Sequence, residues 1–140
     1  MPLSFGPRLK AFLAEPLPIT VGTTRRDGSV QMNPVWYEYR DGLVWLNGGP
    51  KRGWVRHMRR DPRVSLCIDD DTPPYAFVIF EGIATLSEDP AELLRWATSI
   101  AGRYMGSDQA EAFGRRNGVP GELLVRVTPT RVVAQTKISD

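Results

Sequence analysis

Two Asp-Gly pairs, Asp27-Gly28 and Asp41-Gly42, punctuate the first part of the chain, each between stretches rich in β-branched and aromatic side chains. Asp-Gly accepts the positive φ of a tight hairpin turn, and such turns match the right-handed twist of the strands they join. The segment therefore reads as three consecutive antiparallel strands, "LPITVGTTRR", "SVQMNPVWYEYR" and "LVWLNGG". Pro34 lies inside the second strand. It cannot donate a ladder hydrogen bond, so that strand is predicted to be an edge or to carry a bulge.

The rest of the chain continues the pattern. "RVSLCID" and the long "YAFVIFEGIATLSED" read as strands, with a bulge expected at Gly82. "GELLVRVTPTRVVAQTK" predicts a final pair of strands broken at Pro129. Short helices lie between them. In "PRLKAFLAEP", Leu9, Phe12 and Leu13 share a face, and Pro16 and Pro18 end the helix. "DPAELLRWATSIAGRYMG" is the clearest helix, with Asp89 as cap, Pro90 at its first position, and Leu93, Leu94, Ala97, Ile100 and Tyr104 on or near one face. "SDQAEAFGRRNG" predicts a weaker helix ending at Gly118. About seven strands and three or four short helices in 140 residues imply one mainly β (α+β) domain, a small β-barrel with helices over its openings.

Charge is distributed unevenly. Lys51, Arg52, Arg56, Arg59, Arg60 and Arg63 face Asp61 alone in one short stretch, although the whole chain carries a formal charge of only +2. A basic cluster on a near-neutral body points to a focused anion site rather than a nucleic-acid coat. The segment is predicted to be a helix from about Lys51 to Arg60. The preceding strand is expected to end at Asn47. Gly48 and Gly49 then let backbone approach a ligand closely. The first amides of the helix have no intrahelical partner and carry partial positive charge, and Lys51 and Arg52 stand beside them. That is the arrangement of a phosphate site. It matches neither a Walker nor a dinucleotide-binding glycine pattern.

Other chemistry-bearing residues are sparse. Cys67 is the only cysteine, so no disulfide forms within the chain, and it is expected to be a small strand residue. His57 is the only histidine, which excludes a multi-histidine metal site; it is expected on a partly exposed helix face. Asp69, Asp70 and Asp71 are expected to form a solvated turn. Trp45 and Trp96 are expected in the core, and Tyr75 and Tyr104 are candidates for a substrate pocket. No GxSxG motif or carboxylate pair beside a base supports a hydrolase, and no catalytic residue is assigned. No apolar run is long enough for a signal peptide or a membrane span, which predicts a soluble cytoplasmic protein. The tryptophans do not interleave with the cations along one strand face, so a single-stranded nucleic-acid site is not expected.

The order of "RDGSVQMNPVWY", "RHMRRDPRVSLCIDDD", "FEGIATL" and "LLVRVTPTRV" resembles the pyridoxamine 5'-phosphate oxidase-like split β-barrel family, in particular its actinobacterial branch of flavin- and deazaflavin-dependent oxidoreductases. The resemblance runs from about Pro18 to Arg131. It implies a homodimer that binds FMN or the deazaflavin coenzyme F420 in a groove at the subunit interface. It further implies that Asn33, Pro34, Val35 and Trp36 lie beside the cofactor ring, and that Asn47, Gly48, Gly49, Lys51 and Arg52 lie near its phosphate. One position departs. Related sequences read Arg-x-Lys across Arg52, Gly53 and Trp54, and the lysine joins in phosphate binding; here Trp54 stands in its place. Lys51 substitutes from the other side of Arg52, or Trp54 stacks on a ring, or the anion site is reshaped.

In such chemistry the cofactor carries the reactive hydride and the protein supplies binding and orientation, so silence about a catalytic residue is expected. The extra charge at Arg56, Arg59 and Arg60 suits the acidic polyglutamate tail of F420, which FMN lacks. The expectation is an F420-dependent reductase of a small unsaturated substrate. The alternatives are an FMN-dependent enzyme of the same fold, or a non-catalytic binder of flavin, deazaflavin or haem.

Overall fold

Trp36 and Tyr37 alone separate strands β2 (Val30–Val35) and β3 (Glu38–Arg40), yet these two strands form opposite edges of one seven-stranded antiparallel sheet. A residue spans at most about 3.5 Å, so two linking residues force the two edges to meet. The sheet therefore curls round until the end of β2 meets the start of β3, giving a split barrel. This is a computed structural model, and it describes residues 6–49 and 52–140. The sheet order is β2, β1 (Ile19–Thr24), β5 (Arg63–Asp70), β6 (Ala76–Ser87), β7 (Leu123–Thr136), β4 (Leu43–Gly48), β3.

The predicted second strand is thus two strands. The break follows from Tyr37, which is fully buried: its hydroxyl donates to the Leu13 carbonyl at 3.2 Å and its amide donates to the Tyr104 hydroxyl at 3.1 Å. Those bonds turn the chain out of β2 and into β3. Pro34 is tolerated because β2 is an edge strand, as expected. The predicted final pair of strands is instead the single strand β7, which continues past Pro129. Its register against β6 shifts where Gly82 faces Pro129 and Glu81 faces Arg131, which leaves Thr130 as the extra residue of a bulge. Thr130 closes the gap by donating its hydroxyl to the Glu81 carbonyl at 3.1 Å. Gly82 is required opposite the bulge, since a Cβ there would lie 2.7 Å from the Thr128 carbonyl oxygen. β5 also runs into the acidic segment, so Asp69 and Asp70 belong to a strand rather than to a turn.

Helices close the barrel. α1 (Pro7–Leu13) ends in three carbonyls, of Leu13, Ala14 and Glu15, that accept from the Arg103 guanidinium. α2 (Gly53–Arg60) puts Trp54, Val55 and Met58 into the main core beside Val21, Leu46 and Phe80. α3 (Pro90–Met105) is capped by Asp89, whose carboxylate accepts from the Ala91 amide at 3.0 Å. It buries Leu93, Trp96, Ala97 and Ile100, while Leu94 faces solvent instead of the core. Trp96 stacks on Trp45 with ring centroids 3.9 Å apart, the centre of a second apolar cluster. α4 (Ala110–Asn117) packs on α3, where Gly114 permits the approach: a Cβ there would overlap Thr98.

The outer face of the sheet is different. Val30, Met32, Ile79, Ile83 and Val133 are exposed on it, Met32 by 64%. The pairing places Pro34, Thr20, Cys67, Ile79 and Val133 in one row across five strands.

Candidate functional site

The curl of the sheet brings the end of β2 against the end of β4, where α2 begins. Gly48 closes β4, and the chain turns so that the Arg52 amide donates to the Gly49 carbonyl at 3.0 Å. Arg52 then precedes α2 with extended backbone and offers no side-chain cap, which leaves the first amides of the helix without a side-chain acceptor. Gly48 is dictated by packing: the Trp54 ring lies against it, and a Cβ would stand 2.5 Å from Cζ2 of that ring. Gly49 lies against a carboxylate: a Cβ there would stand 2.9 Å from Oε1 of Glu122, the end of a flexible side chain that can move aside.

Around this turn lies a cleft of about 300 Å³, at the lower end of the range for small-molecule sites. Pro34, Val35 and Trp36 make one wall and Asn47, Gly48 and Arg52 another, with Trp54 behind them. The structure thus brings together most of the residues singled out in the sequence. Trp54 is only 2% exposed and belongs to the core beneath Gly48. Asn33 does not line the cleft; its side-chain oxygen accepts from Gln31 at 2.9 Å. Arg56 is exposed on α2 and does not line the cleft. Lys51 lies outside the described residues.

A third wall was not read from the sequence. Arg116 and Asn117, at the end of α4, and Glu122, just before β7, complete the cleft. α4 is held there by aromatic contacts. Phe113 meets Trp36 with ring centroids 6.3 Å apart, and the Arg116 guanidinium lies 5.6 Å from the Phe113 ring. Trp36 itself stacks on Tyr104, with centroids 5.0 Å apart and planes within 3°. The Tyr104 hydroxyl donates to the Leu17 carbonyl at 2.8 Å, and burial raises its pKa, which keeps it a donor. Tyr104 therefore supports the wall of the cleft from behind. Tyr75 sits in the β5–β6 turn and does not line the cleft.

The basic segment divides along α2. Arg52 faces the cleft, with no ion pair to another described residue. Further on, Arg59 pairs with Glu88 at 3.0 Å, Arg60 donates to the Thr24 carbonyl, and Arg63 pairs with Asp61 at 2.7 Å. His57 points away from the cleft, with Nδ1 2.9 Å from the Thr23 hydroxyl; burial first, then Arg60, Arg25 and Arg56, lower its pKa. Among the described residues no group of His, Cys, Asp and Glu is placed to hold a metal ion. No described helix is long and apolar enough to cross a membrane.

The cleft therefore offers an anion cradle beside an apolar, partly aromatic wall. The match to pyridoxamine 5'-phosphate oxidase extends over residues 5–136. The chain belongs to that family. Solved structures share its fold. A conserved hypothetical protein of Mycobacterium tuberculosis superposes with a TM-score of 0.83 at 26% identity, covering 99% of this chain and 88% of that one. An F420 reductase gives 0.75 at 21% identity over 95% of this chain and 98% of that one. The haem storage protein of Vibrio cholerae gives 0.75 at 14% identity over 99% and 100%. The last two likenesses show the fold alone. One split barrel thus serves both reductases and haem-storage proteins, and the split barrel expected from the sequence is the one observed.

Proposed function

We propose that this member of the pyridoxamine 5'-phosphate oxidase family is an oxidoreductase that uses reduced coenzyme F420, or alternatively FMN, to deliver a hydride to a small unsaturated organic substrate. The observation that carries the reading is the juxtaposition of a wall, Pro34 to Trp36, with an anion cradle, Gly48, Arg52 and the uncapped start of α2. A ring-plus-phosphate cofactor presents those two surfaces. The bound cofactor supplies the hydride, and the protein supplies orientation and electrostatics. Arg52 binds the phosphate, with Lys51 beside it in sequence, and Trp36, braced by Tyr104 and Phe113, holds the ring plane. Arg56, exposed and without an ion pair to a described residue, is available to an acidic tail. The F420 reductase with the same fold supports the choice of deazaflavin.

The cleft works at a dimer interface in this reading. Pro34 belongs both to its wall and to the outer row that continues through Cys67 and Ile79 to Val133. Exposed Val30, Met32 and Ile83 flank that row. Exposed apolar side chains gathered on one sheet face suit an association surface, with Arg63, Ser65 and Glu81 among them as polar contacts. A second copy docked there covers the open side of the cleft.

The test is turnover of reduced F420 with a panel of enones, quinones and nitroaromatics. Oxidation that depends on both protein and acceptor is expected. Slow oxidation with every acceptor, despite tight cofactor binding, would replace the enzyme with a flavin, deazaflavin or haem binder.

A further inference from the structure

The Glu122 carboxylate is an odd occupant of an anion cradle. Its two oxygens lie 2.9 and 3.1 Å from where a Cβ of Gly49 would stand. It shares the cleft with Arg52 and Arg116 but makes no hydrogen bond or ion pair to another described residue. Nothing in the packing requires an acid at that place: it precedes β7, is only half-buried, and could be satisfied by solvent. Its effect is electrostatic. A ligand phosphate gripped at Gly48 and Arg52 must sit beside a fixed negative charge.

We propose that Glu122 tunes the response of this cleft to the charge of the ligand's phosphate, shifting preference away from a doubly charged phosphomonoester and towards a singly charged phosphodiester. This rests on the cofactor site described above. Coulomb repulsion scales with the product of the charges. A phosphomonoester carries close to two charges above its second pKa, which lies near 6, and a diester carries one. Glu122 therefore penalises the monoester twice as much as the diester. Arg52 and Arg116 by the same rule attract the monoester twice as strongly as the diester, so Glu122 offsets one of these two cations and reduces the monoester's electrostatic advantage. F420 joins its phosphate to its tail as a diester and FMN ends in a monoester, so Glu122 shifts the balance between them towards the deazaflavin.

The test uses three ligands with one ring: riboflavin, the methyl ester of FMN, and FMN, with phosphate charges of zero, one and two near pH 7.5. Affinities for the wild type and for Glu122→Gln are measured by fluorescence titration at low salt, with F420 alongside. If the substitution tightens the diester about threefold, it tightens the monoester by the square of that, about tenfold, because repulsion energies double with charge. Riboflavin should change less than about twofold, and Glu122→Ala should reproduce the series. A uniform change across the three flavins, or a loss of affinity, would overturn the proposal and make Glu122 an acceptor for ligand hydroxyls. Binding of F420 with no flavin bound before or after substitution would overturn it too, leaving the ring as the selector. Absence of binding by F420 and all three flavins would overturn the cofactor reading as well.

Discussion

The two ends of α2 carry similar charge and do different things. At its start, Arg52 faces a cleft lined by glycine backbone, and no described acid is paired with it. At its end, Arg59 and Arg60 are already engaged by Glu88 and the Thr24 carbonyl, and Arg63, at the start of β5, is paired with Asp61. The dense run of cations in the sequence is therefore not one site. Clustering raises the local potential, but only charges without a partner are free to grip a ligand. Arg59 and Arg60 tie the end of α2 to the segment after β6 and to β1, and in the proposed function they hold the helix whose start meets the ligand.

That contrast can be broken by substitution. Arg52→Ala should weaken F420 binding about thirtyfold, the loss of a charge-assisted contact of about 2 kcal/mol; equal binding by wild type and variant would remove the cradle. Gly48→Ala should reduce stability by about 1.5 kcal/mol, because the added methyl forces Trp54 to shift in the core. Urea unfolding followed by tryptophan fluorescence reads this, and an unchanged midpoint would show that the ring is not fixed beneath Gly48. Arg59→Ala should change F420 affinity by less than about twofold and stability by less than about 1 kcal/mol, as expected for an exposed ion pair. A loss as large as that of Arg52→Ala would mean that both ends of α2 bind.

The smallest effect concerns acid. Hydrogen bonds from the Arg63 side chain and then its backbone amide hold Asp61 at a pKa of about 2, below its ordinary 3.8. A carboxyl whose folded pKa is depressed stabilises the fold above its unfolded pKa, and that contribution disappears as pH falls through the folded value. The stability difference between wild type and Asp61→Asn should therefore be constant above about pH 4 and close between about pH 4 and 2. A gap that persists at pH 2 would show that the pair does not act through the carboxylate charge.

Much of this was legible in the sequence because the signals are local. Asp27-Gly28 and Asp41-Gly42 have positive-φ residues where the turns require them, and Gly118 follows the end of α4. Gly48 and Arg52 fall in the cleft because a strand end and a helix start are close in the chain, whereas Gly49 is not among its lining residues. What was missed depends on contacts distant in sequence. The break at Trp36–Tyr37 is enforced by Leu13 and Tyr104, and nothing in "PVWYEY" announces it. Arg116 and Asn117 read as the basic end of an ordinary helix, and Glu122 as part of the final strands, whereas β7 begins only at Leu123. Only the packing of α4 on α3, and of Phe113 beside Trp36, turns them toward the cleft. The engagement of Arg59 and Arg60 was equally hidden, since their partners lie in β1 and after β6.

The most direct measurement is a fluorescence titration of the protein, and of Arg52→Ala, with oxidised F420 and separately with FMN. Saturable binding of F420 in the micromolar range or tighter, stronger than that of FMN and lost in large part in the variant, is the predicted result. Failure of both cofactors to bind, or binding untouched by removal of Arg52, would contradict the assignment of this cleft as a cofactor site.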